Sequence, residues 1–552
     1  MYPSEPFPHF VDDYLTHLHE VAPGSASLDG VHLNDDLLED LSRPAVEAHL
    51  RTLAGFGRRL RQIEPAQLSP REQVDHRIVG ASLDARVFDL DQVRTWERSP
   101  QYYADVLASS LAGQMLFAHA PEKDRAQRIL SKLRQVPRFV QAARDNIKEP
   151  AGIFVKVAQD TWRGVVDLIE RDLPRAFSSL DDLHLLGDLA DASTEAVGAI
   201  ADYQGYLESD LAPRAKASFR LGRASFEQKL KLEEGIGLDA DRLLQIVLRE
   251  LNDVQEQFRE VAGKLGTGDP LEVWRKAKLE HPPAGALVKT AAEQVKEVVD
   301  FLNKHNLVSM PGGEGVVTAP SPGFYRWASA SMWTPGPFES RPSRAYFYVT
   351  DVDRSWSEER QQEYLRDFNY PTLLNITIHE TYPGHYLYAQ RLREVDSKVR
   401  KSRFFSSGAS IEGWAHYCEQ MVVDAGFRKG DALIRLGQLS KALVRLARCV
   451  VAIRLHCEDL SVEQGVRIFR DEAFLEEMTA RREAERGTFD PMYVVYALGK
   501  QMLLKLRRDS EEELGARFSL RTFHDTLLAQ GAAPFWAHRQ LMLGADADAI
   551  LE

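Results

Sequence analysis

The sequence predicts a mainly α, multi-helix protein in two lobes around a central cleft, with a small β/loop insertion. Three observations predict it. Apolar residues recur at three- and four-residue intervals through most of the chain, as in helices that bury one stripe. One interval, 308–356, abandons that rhythm for Pro- and Gly-rich turns around short aromatic and β-branched runs. The length, 552 residues, exceeds what a single hydrophobic core organises.

Taken in order, residues 35–64 place Leu37, Leu38, Leu41, Val46, Leu50, Leu53 and Leu60 mostly three or four apart, which predicts a helix. The same periodicity, with charges between the apolar positions, predicts helices over 121–147, 187–212, 239–267 and 284–305. Pro150, Pro213, Gly235-Ile236-Gly237 and Pro282-Pro283 punctuate the joints. Turns at Pro311-Gly312-Gly313, at 320–323 and at Pro335-Gly336-Pro337 then frame a predicted strand within 344–350. Helices resume over 360–392, 405–426, 431–458, 461–476, 490–508 and 519–530. The expected division is an N-terminal helical lobe (1–306), a β/loop segment lining the cleft (307–356) and a C-terminal lobe with the polar motif (357–552).

Lys and Arg are interleaved with Asp and Glu, and the net charge is −13, which argues against nucleic acid as a partner. No apolar run approaches the roughly 18 residues of a membrane span, so no membrane partner is expected. The first residues lack the basic and apolar regions of a signal peptide. The three cysteines, Cys418, Cys449 and Cys457, form no disulfide framework. Together these features point to the cytoplasm.

The stretch His379-Glu380-Thr381-Tyr382-Pro383-Gly384-His385 follows an apolar helical run and holds the raw material of a catalytic zinc site. Its histidines stand six apart, not the four of HExxH, which on an unbroken helix leaves them roughly 120° apart. A metal site therefore requires Pro383-Gly384 to interrupt the helix after Tyr382 and return His385 to the side of His379. Zinc in hydrolases takes three protein ligands and keeps one position open. Glu412, in Ile411-Glu-Gly-Trp-Ala-His-Tyr-Cys-Glu419, is the candidate third ligand, because an acid followed by Gly and Trp in an apolar helix is no ordinary solvated face. Glu419, two turns on, is a candidate supporting partner. Glu380 projects to a different side, where a general base would activate water. His416, His456 and His524 read mainly as hydrogen-bonded core residues, and Cys418 as packing.

These motifs, His-Glu-x-x-Pro-Gly-His at 379–385 and Glu-Gly-Trp-Ala at 412–415, resemble a large bacterial family known as domain of unknown function 885. The likeness extends to Leu33–Ser42, to Arg341-Pro342 and the strand at 346–349, to Asp490–Lys500, and to Phe523-His524 with Gly531 and Pro534. That family resembles zincin-type metallopeptidases, nearest in pattern the Taq-type metallocarboxypeptidases with their His-Glu-x-Gly-His and a later ligand glutamate. The resemblance implies His385 as second ligand, a two-residue insertion around Tyr382-Pro383, and Glu412 on the ligand glutamate. Many members carry a second His where this chain has Tyr386.

A peptidase also needs a donor for the oxyanion. Tyr496 first and Tyr493 second, three apart in the segment that resembles a family block, are the candidates, with simple packing as the alternative for both. Arg341 and Arg344 flank the predicted strand and are candidates for a substrate carboxylate, or else surface charges. His416 is a further candidate donor. The leading expectation is a zinc-dependent hydrolase of peptide or amide bonds in short peptides, with Zn2+ or another divalent ion on His379, His385 and Glu412 and Glu380 as base. The alternatives are a non-proteolytic metal enzyme, an amidase or lyase, and a non-catalytic helical protein with a vestigial site. The sequence leaves oligomeric state open.

Overall fold

The computed structural model describes residues 5–312, 315–322, 326, 329–340, 344–544 and 549–551. It is mainly α with one small sheet. The predicted helices are present as Arg43–Leu60, Glu122–Asn146, Leu183–Tyr206, Ala240–Gly263 and Leu287–His305, and in the C-terminal block as Gly408–Asp424, Ala432–Cys457, Val462–Ala473 and Leu520–Ala529. Further helices, among them Phe7–Val21, Pro70–Phe88, Pro100–Leu116, Gly152–Asp167, Arg223–Glu234 and Glu477–Phe489, lie where no helix was expected from periodicity. Several of these open on proline at the first turn, where its missing N–H costs nothing.

Two expected helices are broken. The 360–392 segment is three helices, Glu358–Asp367, Tyr370–Glu380 and His385–Leu392, with Asn369 capping the second by accepting from the Thr372 amide at 3.0 Å. The 490–508 segment opens as a 3-10 turn, Pro491–Val494, and becomes α-helix only over Val495–Leu514. Tyr493 and Tyr496 therefore do not share the face of one helix.

The apolar core does not divide at residue 306. One core combines residues between 7 and 83, residues between 226 and 308, and the C-terminal block from 374 onward. A second belongs to residues between 103 and 211, joined by Leu38. Residues between 7 and 83 and between 226 and 308 thus fold together with the C-terminal block, and the helices between 103 and 211 build the second core. Periodicity marks each helix's apolar stripe but not which distant stripe meets it.

The β insertion is a three-stranded sheet of order β1-β3-β2: β1 (Val317–Pro320), β2 (Ala330–Trp333) and β3 (Tyr346–Val349). β3 is the strand expected from sequence. It pairs in parallel with β1 and antiparallel with β2, with Tyr346 opposite Val317 and Trp333. Phe347 and Val349 are buried with Leu287, Ala291, Leu365 and Leu373, so the sheet rests on the helices that lead into the histidine motif. Among the described residues no helix is long and apolar enough to cross a membrane.

Candidate metal centre

The helix Tyr370–Glu380 ends one residue after His379, two residues earlier than expected. Thr381 leaves the helical region (φ −107°, ψ −100°), the Tyr382–Pro383 bond is cis, and Gly384 (φ −72°, ψ −131°) starts the next helix. The chain folds back on the turn it has left: the Gly384 amide donates to the Ile378 carbonyl at 3.2 Å. Only glycine permits that approach, because a Cβ on residue 384 would lie 1.8 Å from the His379 carbonyl oxygen and 2.5 Å from that of Ile378. The result is the one the motif required. The His379 and His385 rings meet at 4.7 Å between centroids, nearly perpendicular. Gly384→Ala is expected to cost about 1–3 kcal/mol through overpacking against backbone. It should also loosen a metal held by His385 by about 10–100-fold, the range seen when a ligand loses its support. Chelator competition and denaturant unfolding would measure the two effects.

The helix Gly408–Asp424 brings Glu412 to this pair and also holds the folded-back loop. Trp414 Nε1 donates to the Pro383 carbonyl at 2.7 Å, and the Cys418 thiol approaches the same oxygen at 3.6 Å. Burial pushes that thiol well above its ordinary value, which suits packing rather than attack. Glu412 Oε2 lies 3.4 Å from His379 Nε2 and 3.3 Å from His385 Nε2, yet it is buried and accepts no hydrogen bond. Those separations match the edge, about 3.4 Å, of a tetrahedron of donors bonded at about 2.1 Å to zinc. The three ligand atoms lie within 4.8 Å of one another, and His₂Glu is a donor set that borderline divalent ions accept.

Among the described residues two other groups of ligand-type residues are close-set, and both are already neutralised at their focus. Asp35, shared by His32 and His119, accepts from Arg128 at 2.9 Å. Glu5 and Asp13 are both held by Arg59, at 2.5 and 2.6 Å. Among the described residues no Lys or Arg is paired with Glu412 at the focus of His379, His385 and Glu412.

Behind the first histidine stands Glu419, fully buried. It accepts from His379 Nδ1 (2.7 Å), Asn375 Nδ2 (2.7 Å), His416 Nδ1 (3.2 Å) and Arg445 Nη1 (3.2 Å), and Arg445 Nη2 lies 2.6 Å from its other oxygen. The bond from Nδ1 fixes the His379 tautomer and leaves Nε2 facing Glu412. His416 is thereby committed to Glu419; burial holds its pKa down at about 3, against the pull of that carboxylate. Burial also opposes charge on His379, but Glu412 and Glu419 outweigh it and raise the imidazole to about 9. A cation binding there at neutral pH must displace that proton. Burial works against both carboxylates as well, yet His385 and His379 hold Glu412, and Arg445 and His416 hold Glu419, well below the usual carboxylate range.

Glu380, half-buried at the end of its helix, makes no hydrogen bond or ion pair among the described residues. Tyr496 reaches the site, its ring 6.3 Å from that of His379 and nearly parallel to it. Burial and the nearby Glu412 charge push its phenol up to about 12. Tyr493 does not reach the site. It is buried against Gly487, where a Cβ would meet its hydroxyl at 2.3 Å, and Arg448 and Arg486 flank its ring. The 3-10 turn explains the difference, since it rotates Tyr493 off the helix that carries Tyr496. Glu412 and Tyr496 are set opposite each other by backbone contact between their helices: a Cβ on Gly413 would lie 2.4 Å from the Gly499 carbonyl carbon.

Arg344 is exposed, and Arg341 lies outside the described residues. His524 accepts or donates to the Tyr417 hydroxyl at 2.8 Å and His456 bonds the Gly487 carbonyl at 2.8 Å, both as core residues. The residues that sequence reasoning missed are Asn375, Arg445, Arg448 and Arg486. A signal for two of the arginines exists: Lys441, Arg445 and Arg448 form a charged stripe at i, i+4, i+7 through the middle of the largely apolar helix Ala432–Cys457.

No curated protein matches this chain. Among the solved structures that share its fold are the following two. One is a lipoprotein candidate of unknown function from Shewanella oneidensis, 25% identical, with a TM-score of 0.80 over 98% of this chain and 100% of that one. The other is a lipoprotein candidate from Colwellia psychrerythraea, 17% identical, with a TM-score of 0.80 over 97% and 98%. The model of a family described as bacterial protein of unknown function (DUF885) matches residues 23–542, and those residues include the histidine motif, Glu412 and Tyr496; the chain belongs to that family.

Proposed function

We propose that this protein is a zinc-dependent hydrolase of peptide or amide bonds, acting on short peptides. The observation that carries the reading is the buried, unsatisfied Glu412 oxygen facing two imidazole nitrogens at the edge lengths of a metal tetrahedron, beside an uncommitted carboxylate. The motif's likeness to zincin-type metallopeptidases supports it. His379, His385 and Glu412 would hold Zn2+, or another divalent ion that the same donors accept. The cation would supply Lewis acidity to the scissile carbonyl. Glu380 takes the proton of the attacking water and returns it to the leaving amine. Glu419 holds His379 in its tautomer, and the Tyr496 hydroxyl faces the oxygen on which charge develops.

The test is metal analysis of the purified protein together with a mixed peptide library read by mass spectrometry. One zinc per chain and peptides with trimmed ends are expected. Failure to take up any divalent metal on titration would remove the hydrolase reading altogether. Intact peptides beside bound zinc would move it to an amidase or lyase.

A further inference from the structure

Outside the histidine motif, a cavity of about 230 Å³ opens where three arginines from separate segments meet. Arg71 stands in the first turn of the helix Pro70–Phe88, Arg391 in the last turn of His385–Leu392, and Arg400 in the short helix Lys398–Lys401. Gln530, just after the helix Leu520–Ala529, completes the wall. The cavity therefore lies where an N-terminal helix of the large core meets the C-terminal block.

The three guanidinium groups are engaged to different degrees. Arg400 is buried and donates from Nε to Asp75 at 2.8 Å, and from Nη1 to the Gln530 carbonyl and side-chain oxygens at 3.3 and 3.1 Å. Ser397 donates to the other oxygen of Asp75 at 2.7 Å, so that carboxylate is fully used in holding Arg400. Arg391 pairs through Nη1 with Glu394 at 2.7 Å, but its Nε is buried and has no acceptor. Arg71 is exposed and makes no hydrogen bond or ion pair among the described residues. The acids on the wall, Glu394 and Asp396, are both exposed, where water screens their charge.

A buried N–H is nearly always given an acceptor in a folded protein. Arg391 lines a cavity with room for the acceptor that its Nε lacks. A guanidinium carries donors only, in a fork that matches oxyanions, so the missing partner is an acceptor with negative charge. One fork satisfies a planar carboxylate. Three guanidinium groups arriving from three segments suit a tetrahedral anion, whose oxygens point in several directions.

We propose that Arg71, Arg391 and Arg400 form a binding site for a small tetrahedral oxyanion, a phosphate group that is either free or carried on a small molecule. The bound anion would tie the helix Pro70–Phe88 to the helix that begins at His385. The site uses none of His379, His385, Glu380 and Glu412, and it does not rest on the hydrolase reading.

The experiment is calorimetric titration of the full chain with inorganic phosphate, glycerol 3-phosphate and acetate, at an ionic strength held constant with chloride. Each titration is run on the protein as purified and again after treatment with a chelator, because a metal centre also attracts oxyanions. Saturable binding of one phosphate per chain is expected in both forms, with acetate weaker by about 10-fold or more, since it engages one fork only. Arg71→Met and Arg391→Met should each weaken phosphate by about 10–100-fold, the scale of a lost hydrogen bond to a charged group. Arg71 has no partner to lose, so Arg71→Met should melt at the wild-type temperature without anion and reads binding apart from folding. Tighter binding of glycerol 3-phosphate would assign a carried phosphate group, and weaker binding the free anion. The proposal is overturned by an absence of saturable phosphate binding, by binding that disappears with the chelator, by acetate that binds as well as phosphate, or by an affinity unchanged in either variant.

Discussion

Replacing Glu380 by glutamine is expected to leave zinc stoichiometric and the fold intact while hydrolytic turnover falls by about 10²–10⁴-fold, the range for loss of a general base. The expectation follows from how the three carboxylates near the site are engaged. Glu412 faces the two imidazoles and is the candidate ligand. Glu419 accepts from four side chains and has nothing left with which to receive a proton. Glu380 alone of the three makes no hydrogen bond or ion pair among the described residues. It follows His379 directly, so the helix turns it about 100° off the ligand direction. Glutamine keeps the volume and polarity of the side chain but cannot take a proton at neutral pH. Steady-state kinetics on a hydrolysed peptide, beside metal analysis of the same preparation, reads both halves of the prediction. Unchanged turnover would remove Glu380 as base, and loss of zinc would place it among the ligands.

Much of this site is legible in the sequence because its chemistry is local. The two histidines, the adjoining acid and the acid-Gly-Trp sequence each stand out against apolar helices, and the spacing of six forces the prediction of a break. The place of the break was two residues off. Proline and glycine advertise an interruption at 383–384, but the chain leaves the helix at Thr381 so that Gly384 can press against the His379 carbonyl. That contact is tertiary in character and leaves no periodic trace. Tyr493 was misplaced for a similar reason, since a 3-10 turn and an α-helix give the same apolar pattern over four residues. The lobe division was illegible because it depends on which stripes meet. Phe10 and Tyr14 share a core with Phe405, some 390 residues away, and no local pattern encodes such a pairing.

Glu419→Ala is expected to produce the opposite profile from Glu380→Gln: a large loss of stability and of metal affinity, with catalysis impaired only as a consequence. Removing this carboxylate leaves Arg445 as a buried charge without its partner, a change that costs about 3–5 kcal/mol. It also leaves His379 Nδ1, Asn375 Nδ2 and His416 Nδ1 aimed at an empty space. His379 is then free to change tautomer and turn, which should weaken zinc binding by about 10–100-fold. Glutamine is no rescue here, because its NH₂ would point at groups that are themselves donors. The effect carries a definite pH dependence. Burial disfavours the Glu419 charge, but Arg445 and His416 overcome that and depress the carboxyl well below its ordinary value of 4.5. A depressed carboxyl stabilises the folded protein fully above the unfolded value and ceases to do so as pH falls through the folded one. The stability difference between wild type and Glu419→Ala, read from denaturant unfolding, should therefore be complete at neutral pH, shrink progressively as pH falls below the ordinary value of 4.5, and be lost only in strong acid. A variant as stable as the wild type at pH 7 would mean that Arg445 and His379 find another acceptor, and that Glu419 does not support the metal ligands. The contrast between the two glutamates would separate the parts of the proposed centre: Glu419, fully engaged, would maintain it, and Glu380, which makes no hydrogen bond or ion pair among the described residues, would be available to react.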